Sequence, residues 1–253
     1  MNKVIGIIGG MGPKAGLTLH RRILDNTITN GLDQDHLPII HISFSSLISD
    51  RTNFILKKTD DNPKTGAIEC IKILNNSIKN LNCEKIIVGI PCNTFHSNII
   101  FKDFSNEVKR YENIILLNMV EEVKNYLLKK KIYNAGLLST SGVYYSNLYD
   151  NILNENKINI YKVDDNNQKM IQEAIYNKEW GIKAKNNPVT KKAKKIIFSK
   201  IDYFQNRGVT NIILGCTEIP LIFNDYRVNK YNINFINPVD ILSKEMIKQY
   251  FNN

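Results

Sequence analysis

Short runs of β-branched and other apolar residues alternate with longer stretches of helical periodicity along this chain. Within residues 63–81, for example, Ile68, Ile71, Leu74 and Ile78 form one apolar stripe at helical spacing. Continuous apolar runs between such helices are typical of strands buried on both faces of a parallel sheet. The pattern predicts βαβ units, with strands at residues 4–10, 38–44, 85–90, 111–119, 133–143, 158–163, 210–216 and 233–238.

The succession of strands and helices in the first half of the chain repeats from about residue 133. Residues 136–142 (GLLSTSG) resemble residues 6–12 (GIIGGMG), and Cys216 follows Cys92 at a similar separation along the chain. Two halves that share a small-residue loop and a later cysteine indicate an internal duplication. We therefore predict an α/β fold of two similar Rossmann-like domains with parallel sheets.

The predicted first domain comprises residues 1–117 together with 229–253, so that the last strand and the helix after it return to the first half. The second domain comprises residues 118–228, in which one helix is predicted over residues 144–156. Ligands of open parallel sheets bind beyond the carboxyl ends of the strands. We therefore expect an active site in the cleft between the two domains, with a cysteine approaching from each side.

The overall composition limits the classes of partner. The net charge is +10, but the densest lysine run, residues 190–200, has the periodicity of a solvated helix face, and no nucleic-acid-binding motif accompanies it. No apolar run approaches the roughly 20 residues of a membrane-spanning helix, and the N-terminus lacks the layout of a signal peptide. We expect a cytoplasmic protein with no nucleic-acid or membrane partner.

The four cysteines do not form a metal or disulfide pattern. Their spacing contains no CxxC, so no zinc site is predicted, and cytosolic thiols stay reduced. Cys70 lies on the apolar stripe of a predicted helix and Cys83 lies just before a strand, so both are interpreted as structural. Cys92 and Cys216 remain as candidates for thiol chemistry.

The loop after the first strand contains Gly10, Gly12 and Ala15, which fit a dinucleotide fingerprint. That fingerprint expects an acidic residue at the end of the second strand, where this chain has Ser45 and Ser46. No nicotinamide or flavin cofactor is therefore expected. The backbone amides at the start of the following helix suit a carboxylate, although a turn that binds nothing gives the same pattern.

Cys92 lies between a buried strand and a predicted helix, a position that lowers the pKa of a thiol. Asn93 and Thr94 add hydrogen-bonding groups, and His96 is placed to interact with the thiol. Alone, this pattern equally fits a buried structural cysteine. The second copy, with Cys216 followed by Thr217, favours function.

Two thiols on either side of one ligand suit the removal of a proton from one face of a carbon and its return to the other face. A cysteine hydrolase would instead use Cys92 with His96 and leave the second cysteine without a role. Arg51 and Lys183 are candidates for holding an anionic substrate, although each alone is more often a surface charge.

Five motifs, GGMGP, SDRT, PCNTFH, GIKA and GCTEIPL, occur in this order. Together they resemble the aspartate/glutamate racemase family, most closely its aspartate racemase branch, from about residue 6 to residue 238. The resemblance implies racemisation of an acidic amino acid without pyridoxal phosphate or metal, so no cofactor is expected. It also implies a homodimer.

The resemblance assigns roles residue by residue. Cys92 and Cys216 become the acid/base thiols. The substrate-binding positions that match are Gly10, Met11, Arg51, Asn93, Thr94, Thr140, Lys183 and Thr217. Phe95 and Val143 stand where smaller or hydroxylated residues are usual, so we expect a reshaped substrate pocket, and the segment 177–180 before Lys183 is lengthened.

Three alternatives remain to aspartate racemisation. Glutamate or a broader range of amino acids fits the same motifs. A decarboxylase or isomerase on this scaffold would need only one of the two cysteines. A non-catalytic protein would bind the amino acid without exchanging its α-proton.

Overall fold

The computed structural model describes residues 2–224 and 231–252, and the chain forms two compact units. The first unit contains the residues up to Val123 and those from Val239 onward, and the second unit is Lys124–Pro238. The boundary predicted between residues 228 and 229 lies outside the described residues.

The first unit alternates strands and helices along the chain. Its elements, with α5 running across the division between the units, are β1 (Lys3–Ile8), α1 (Pro13–Asn26), a 3₁₀ helix (Asp33–Asp35), β2 (Ile39–Ile42), α2 (Arg51–Ile55), α3 (Pro63–Asn80), β3 (Lys85–Gly89), a 3₁₀ helix (Asn93–His96), α4 (Asn98–Val108), β4 (Ile114–Leu116) and α5 (Met119–Lys129).

The second unit repeats this alternation, and the chain then returns to the first unit. The elements from β5 to the end are β5 (Asn134–Ser139), α6 (Ser141–Tyr145), α7 (Leu148–Asn154), β6 (Asn159–Tyr161), α8 (Asp165–Tyr176), α9 (Lys191–Gln205), β7 (Asn211–Gly215), a 3₁₀ helix (Ile219–Asn224), β8 (Asn234–Ile236) and α10 (Pro238–Phe251).

The two sheets have the same topology. Their strand orders are β2-β1-β3-β4 and β6-β5-β7-β8, and every neighbouring pair is parallel. The predicted α/β fold with two similar parallel-sheet halves is confirmed. In the register of the central pairs, Ile7 lies opposite Gly89 and Ser139 lies opposite Gly215.

The last strand does not return to the first half, contrary to the prediction. β8 pairs with β7, with Asn211 opposite Asn234, so it completes the second sheet. The Asn234 side chain donates to Asn211 Oδ1 at 3.1 Å, and that of Asn159 donates to Asn134 Oδ1 at 3.0 Å. These asparagines start all four strands of the second sheet, and their amides link neighbouring strands at that edge.

The helix α10, which follows β8, belongs to the first unit. Val239, Leu242 and Met246 are buried in a core layer with Ile5 and Ile87 of the central strands. The apolar residues of α3 and α4 cover the other face of this sheet. The strand and the helix that follows it therefore separate at Pro238, because each buries its apolar face in a different core.

The helix predicted over residues 144–156 is also interrupted. Asn147 adopts a left-handed backbone conformation (φ 50°) between α6 and α7. Asparagine tolerates this conformation better than most residues because its short side chain can hydrogen-bond locally. No helix among the described residues is long and apolar enough to cross a membrane.

The loop after β1 depends on a glycine that no other residue replaces easily. Gly10 has φ +91°, and a Cβ added there would lie 2.9 Å from both Phe44 C and Ser45 N. Gly31 has a similar φ of +96°, but an added Cβ would have nothing within 4 Å. The two positions therefore separate the effect of backbone strain from that of steric overlap.

We predict that Gly31→Ala lowers the free energy of unfolding by about 1 kcal/mol, from positive-φ strain alone. Gly10→Ala should cost roughly 1–3 kcal/mol more, because the backbone of residues 44–45 must also shift. Urea unfolding followed by circular dichroism measures both values. Equal losses in the two variants would contradict the steric argument.

Candidate functional site

The first candidate segment, residues 92–97, follows the carboxyl end of β3, next to the carboxyl end of β1. These strands are neighbours, so the glycine loop and the residues around Cys92 leave the same edge of the sheet. Cys92 is buried, and its carbonyl accepts hydrogen bonds from Phe95 N at 3.1 Å and from His96 Nδ1 at 2.9 Å. Asn93 and Thr94 are buried beside it.

The helix that follows Cys92 is shorter than predicted. Asn93–His96 forms a 3₁₀ turn, and the α-helix starts only at Asn98 because Ser97 has an extended backbone (φ −60°, ψ 141°). The dipole of a one-turn helix is small, since the macrodipole is the sum of aligned peptide units. The segment directly after Cys92 therefore provides a much smaller helix dipole than a long α-helix at that position would.

His96 supports the backbone of this segment. Its ring is buried and stacks on Phe101 with centroids 4.7 Å apart. Burial lowers the pKa of His96 to about 4, although the backbone of Cys92 and Leu117 acts in the opposite direction. A neutral imidazole bonded to a carbonyl must carry its proton on Nδ1, so His96 donates to the Cys92 carbonyl and is a weak base for a thiol.

Phe95 packs into the hydrophobic core beneath the Cys92 segment. Its side chain is fully buried in the core of the first unit and packs edge-on against Phe104, with centroids 5.0 Å apart. Phe95 therefore contributes to the packing that supports the Cys92 segment.

Arg51 joins the loops after β1 and β2. Its guanidinium is largely buried and donates to the carbonyl of Met11 and to that of Ser49, both at 3.0 Å. Asp50 caps α2 by accepting from Asn53 N at 2.7 Å, which fixes the start of the helix at Arg51. The structure therefore brings together the predicted site residues Met11 and Arg51.

The carboxyl ends of β5 and β7 carry the second candidate segment. These strands are neighbours. Thr140 directly follows the last residue of β5, and Cys216 directly follows the last residue of β7. Two glutamines of α8 hold the loop after β5. Gln168 donates to the Ser139 carbonyl at 3.0 Å, and Gln172 accepts from Ser141 N at 2.8 Å.

Lys183 reaches the Cys216 segment through an acidic residue. The chain folds back over the end of α8, where Lys183 N donates to the Ile175 carbonyl at 3.0 Å. The ammonium of Lys183 then contacts Glu218 Oε1 at 2.7 Å. Glu218 Oε2 accepts from Cys216 Sγ at 3.0 Å and from Thr217 Oγ1 at 3.1 Å.

These contacts fix the charges around Cys216. Burial and the negative charge of Glu218 raise the pKa of the Cys216 thiol, although Lys183 opposes them. Burial raises the pKa of Glu218, but the Lys183 ammonium and the hydrogen bonds outweigh it and lower that pKa overall. Cys216 is therefore a neutral thiol that donates to an ionised carboxylate.

Sequence reasoning gave no role to Glu218. An acid two residues after a cysteine at the end of a buried strand was the available signal. Its importance depends on a contact with Lys183, which lies 35 positions away in the chain.

The remaining cysteines have structural surroundings. Cys70 is fully buried on α3, and burial raises the pKa of its thiol to about 11. Cys83 donates to the Lys85 carbonyl at 3.4 Å. Among residues 2–224 and 231–252, no group of three or more His, Cys, Asp or Glu side chains is arranged to hold a metal ion.

We predict that His96 makes the protein less stable in acid. Its pKa is lowered from about 6.5 to about 4, so below pH 6.5 the unfolded chain binds a proton that the folded chain refuses. Stability should therefore fall as pH drops from 6.5 to 4, by about 3 kcal/mol from this residue.

The variant His96→Gln keeps a donor for the Cys92 carbonyl but does not titrate. Its free energy of unfolding, measured in urea at several pH values and compared with its own value at pH 7.5, should lack this loss. His41, whose pKa is also lowered by burial and by His20, is present in both proteins. The same acid dependence in both would contradict the assignment.

Comparison with known proteins identifies the family to which this chain belongs. Residues 8–246 match the family described as Asp/Glu/Hydantoin racemase. Among solved structures, an aspartate racemase from Picrophilus torridus is similar, with 26% identity and a TM-score of 0.71, over 98% of this chain and 94% of that chain.

Two further structures share the fold. An aspartate racemase homologue from Pyrococcus horikoshii has 21% identity and a TM-score of 0.66, over 98% and 99% of the two chains. A glutamate racemase from Francisella tularensis, in complex with D-glutamate, has 17% identity and a TM-score of 0.65, over 99% and 81%. With the match covering nearly its whole length, the chain belongs to the Asp/Glu/Hydantoin racemase family.

Proposed function

We propose that this protein is a cofactor-independent racemase that interconverts L-aspartate and D-aspartate, with Cys92 and Cys216 as its two acid/base groups. The observation that carries the proposal is the equivalence of the two cysteine segments. Each cysteine follows the third strand along the chain of a four-stranded parallel sheet, and the two sheets have the same order. A pair of equivalent thiols is what a two-base reaction at one carbon requires.

The proposed chemistry moves two protons. One sulfur, as a thiolate, takes the α-proton, and the electron pair of the broken C–H bond is delocalised into the α-carboxylate. The other sulfur, as a thiol, gives its proton to the opposite face of the carbon. The first sulfur ends as a thiol and the second as a thiolate, so the reverse reaction uses the same groups in exchanged roles.

The proposed substrate-binding positions suit recognition of an amino acid that carries two carboxylates. In the first unit these positions are the backbone of Gly10 and Met11 and the side chains of Arg51, Asn93 and Thr94, and in the second unit they are Thr140, Lys183 and Thr217. Arg51 and Lys183 supply the positive charge for carboxylates. Aspartate is proposed ahead of glutamate because the similar Picrophilus torridus protein is an aspartate racemase.

We predict that the purified protein, without added cofactor, exchanges the α-proton of L-aspartate in D₂O and forms D-aspartate. Cys92→Ser and Cys216→Ser should each lower the rate by about 10²–10⁴-fold, because each removes one positioned proton carrier. Proton NMR follows the loss of the α-proton signal, and chiral chromatography measures the second enantiomer. Cys83→Ser removes a thiol outside the candidate site and should leave the rate unchanged.

Other outcomes separate the alternatives. Activity that requires only one cysteine, or release of carbon dioxide, would indicate the decarboxylase or isomerase alternative. Exchange with either enantiomer of glutamate, or with a 5-substituted hydantoin, but not with aspartate, would retain the reaction class and reject the substrate. Binding of aspartate without α-proton exchange would reject the racemase proposal.

A further inference from the structure

The carboxylate of Glu218 lies at the centre of a small buried network in the second unit. One oxygen accepts from the thiol of Cys216 at 3.0 Å and from the hydroxyl of Thr217 at 3.1 Å, and the other contacts the ammonium of Lys183 at 2.7 Å. Cys216, Thr217 and Glu218 are each more than 90% buried. Water therefore screens the contacts of Glu218 with Cys216 and Thr217 little, whereas the side chain of Lys183 is 25% exposed.

From this geometry we infer that Glu218 is a positioning residue, which holds Cys216 as a hydrogen-bond-donating thiol, and that Lys183 is the counter-charge that sets how readily this thiol ionises. The inference rests on the proposed function for its catalytic meaning, because it concerns one of the two proposed thiols. The contacts themselves are independent of the substrate.

Glu218 is suited to fix the proton of Cys216 and not to remove it. Its pKa is lowered by the Lys183 ammonium despite burial, so it is a weak base. An ionised carboxylate accepts hydrogen bonds but donates none. The S–H bond of Cys216 is therefore directed at Oε2, and its hydrogen is retained on sulfur until a stronger base withdraws it.

The charges that face Cys216 act in opposite directions. Glu218 disfavours a thiolate because it would place two negative charges about 3 Å apart, whereas Lys183 favours it. Among the described residues, Tyr176 also faces Lys183, and its ring lies 5.1 Å from the ammonium. The balance at Cys216 therefore depends on Glu218 and Lys183, with Tyr176 acting on Lys183.

This network gives Lys183 a second task besides the substrate contact predicted from sequence. An ammonium has three donors, so Lys183 can keep Glu218 and still donate to a substrate carboxylate. A substrate that draws the ammonium away from Glu218 would raise the pKa of Cys216 and hold it as a thiol. Within the part of the chain that the structure describes, no carboxylate hydrogen-bonds to the sulfur of Cys92, so the two thiols differ in their resting surroundings.

The test measures ionisation of Cys216 directly, without substrate. The full-length protein is labelled with iodoacetamide between pH 7 and pH 10, and mass spectrometry of the Cys216 peptide gives its alkylation rate. Only the thiolate reacts, so at pH 9 the rate reports the ionised fraction. Glu218→Gln removes the negative charge with nearly the same shape, and Lys183→Met removes the positive charge.

We expect the rate at pH 9 to rise at least about tenfold in Glu218→Gln and to fall at least about tenfold in Lys183→Met, because a neighbouring charge shifts a pKa by about 1–3 units. The double variant, which lacks both charges, should lie between the two. The Cys83 peptide in the same samples reports general loosening and should react equally in all of them.

A purely structural role would not make the alkylation rate of Cys216 rise in Glu218→Gln and fall in Lys183→Met. A rate that rises in both single variants, together with faster labelling of Cys83, would overturn the inference in favour of loosened packing. An unchanged rate in Glu218→Gln would also overturn it. Because no turnover is needed, shifts of the expected signs in a protein that does not racemise aspartate would reject the proposed function and leave this network established.

Discussion

The parallel pairing of two central strands in each sheet is the constraint on which the rest of this structure depends. Parallel strands end at the same edge, so the loop after β1 meets the segment after β3, and the loop after β5 meets the segment after β7. The candidate residues therefore come from loops that are distant in sequence and adjacent at a sheet edge. Each unit provides one such edge with one cysteine.

Buried polar groups at these edges need partners, and the chain supplies them from its own side chains. Arg51 donates to the Met11 carbonyl, His96 to the Cys92 carbonyl and Gln168 to the Ser139 carbonyl. An unpartnered carbonyl at such a buried position would cost about 1–3 kcal/mol. These side chains therefore hold the loops in place within the folded chain.

The contacts of Lys183 and His96 show how the tertiary structure gives a residue partners that its place in the sequence does not reveal. Lysine was expected to hold a substrate carboxylate, and its ammonium lies on Glu218. Histidine was placed to interact with the Cys92 thiol, and its buried ring donates to the backbone instead. In both cases the residue has a partner within the protein, which is the Glu218 carboxylate for Lys183 and the Cys92 carbonyl for His96.

The sequence by itself determined the α/β class, the repeated parallel halves and the place of both cysteines at strand ends, because strand burial and helical periodicity are local patterns. The tertiary structure decided that β8 completes the second sheet while α10 returns to the first unit, since pairing depends on which partner strand and core remain available. It also decided the role of Glu218. A hydrogen bond to Cys216 is local, but the ionised state of the acid depends on an ammonium 35 residues away, which only folding brings within 2.7 Å.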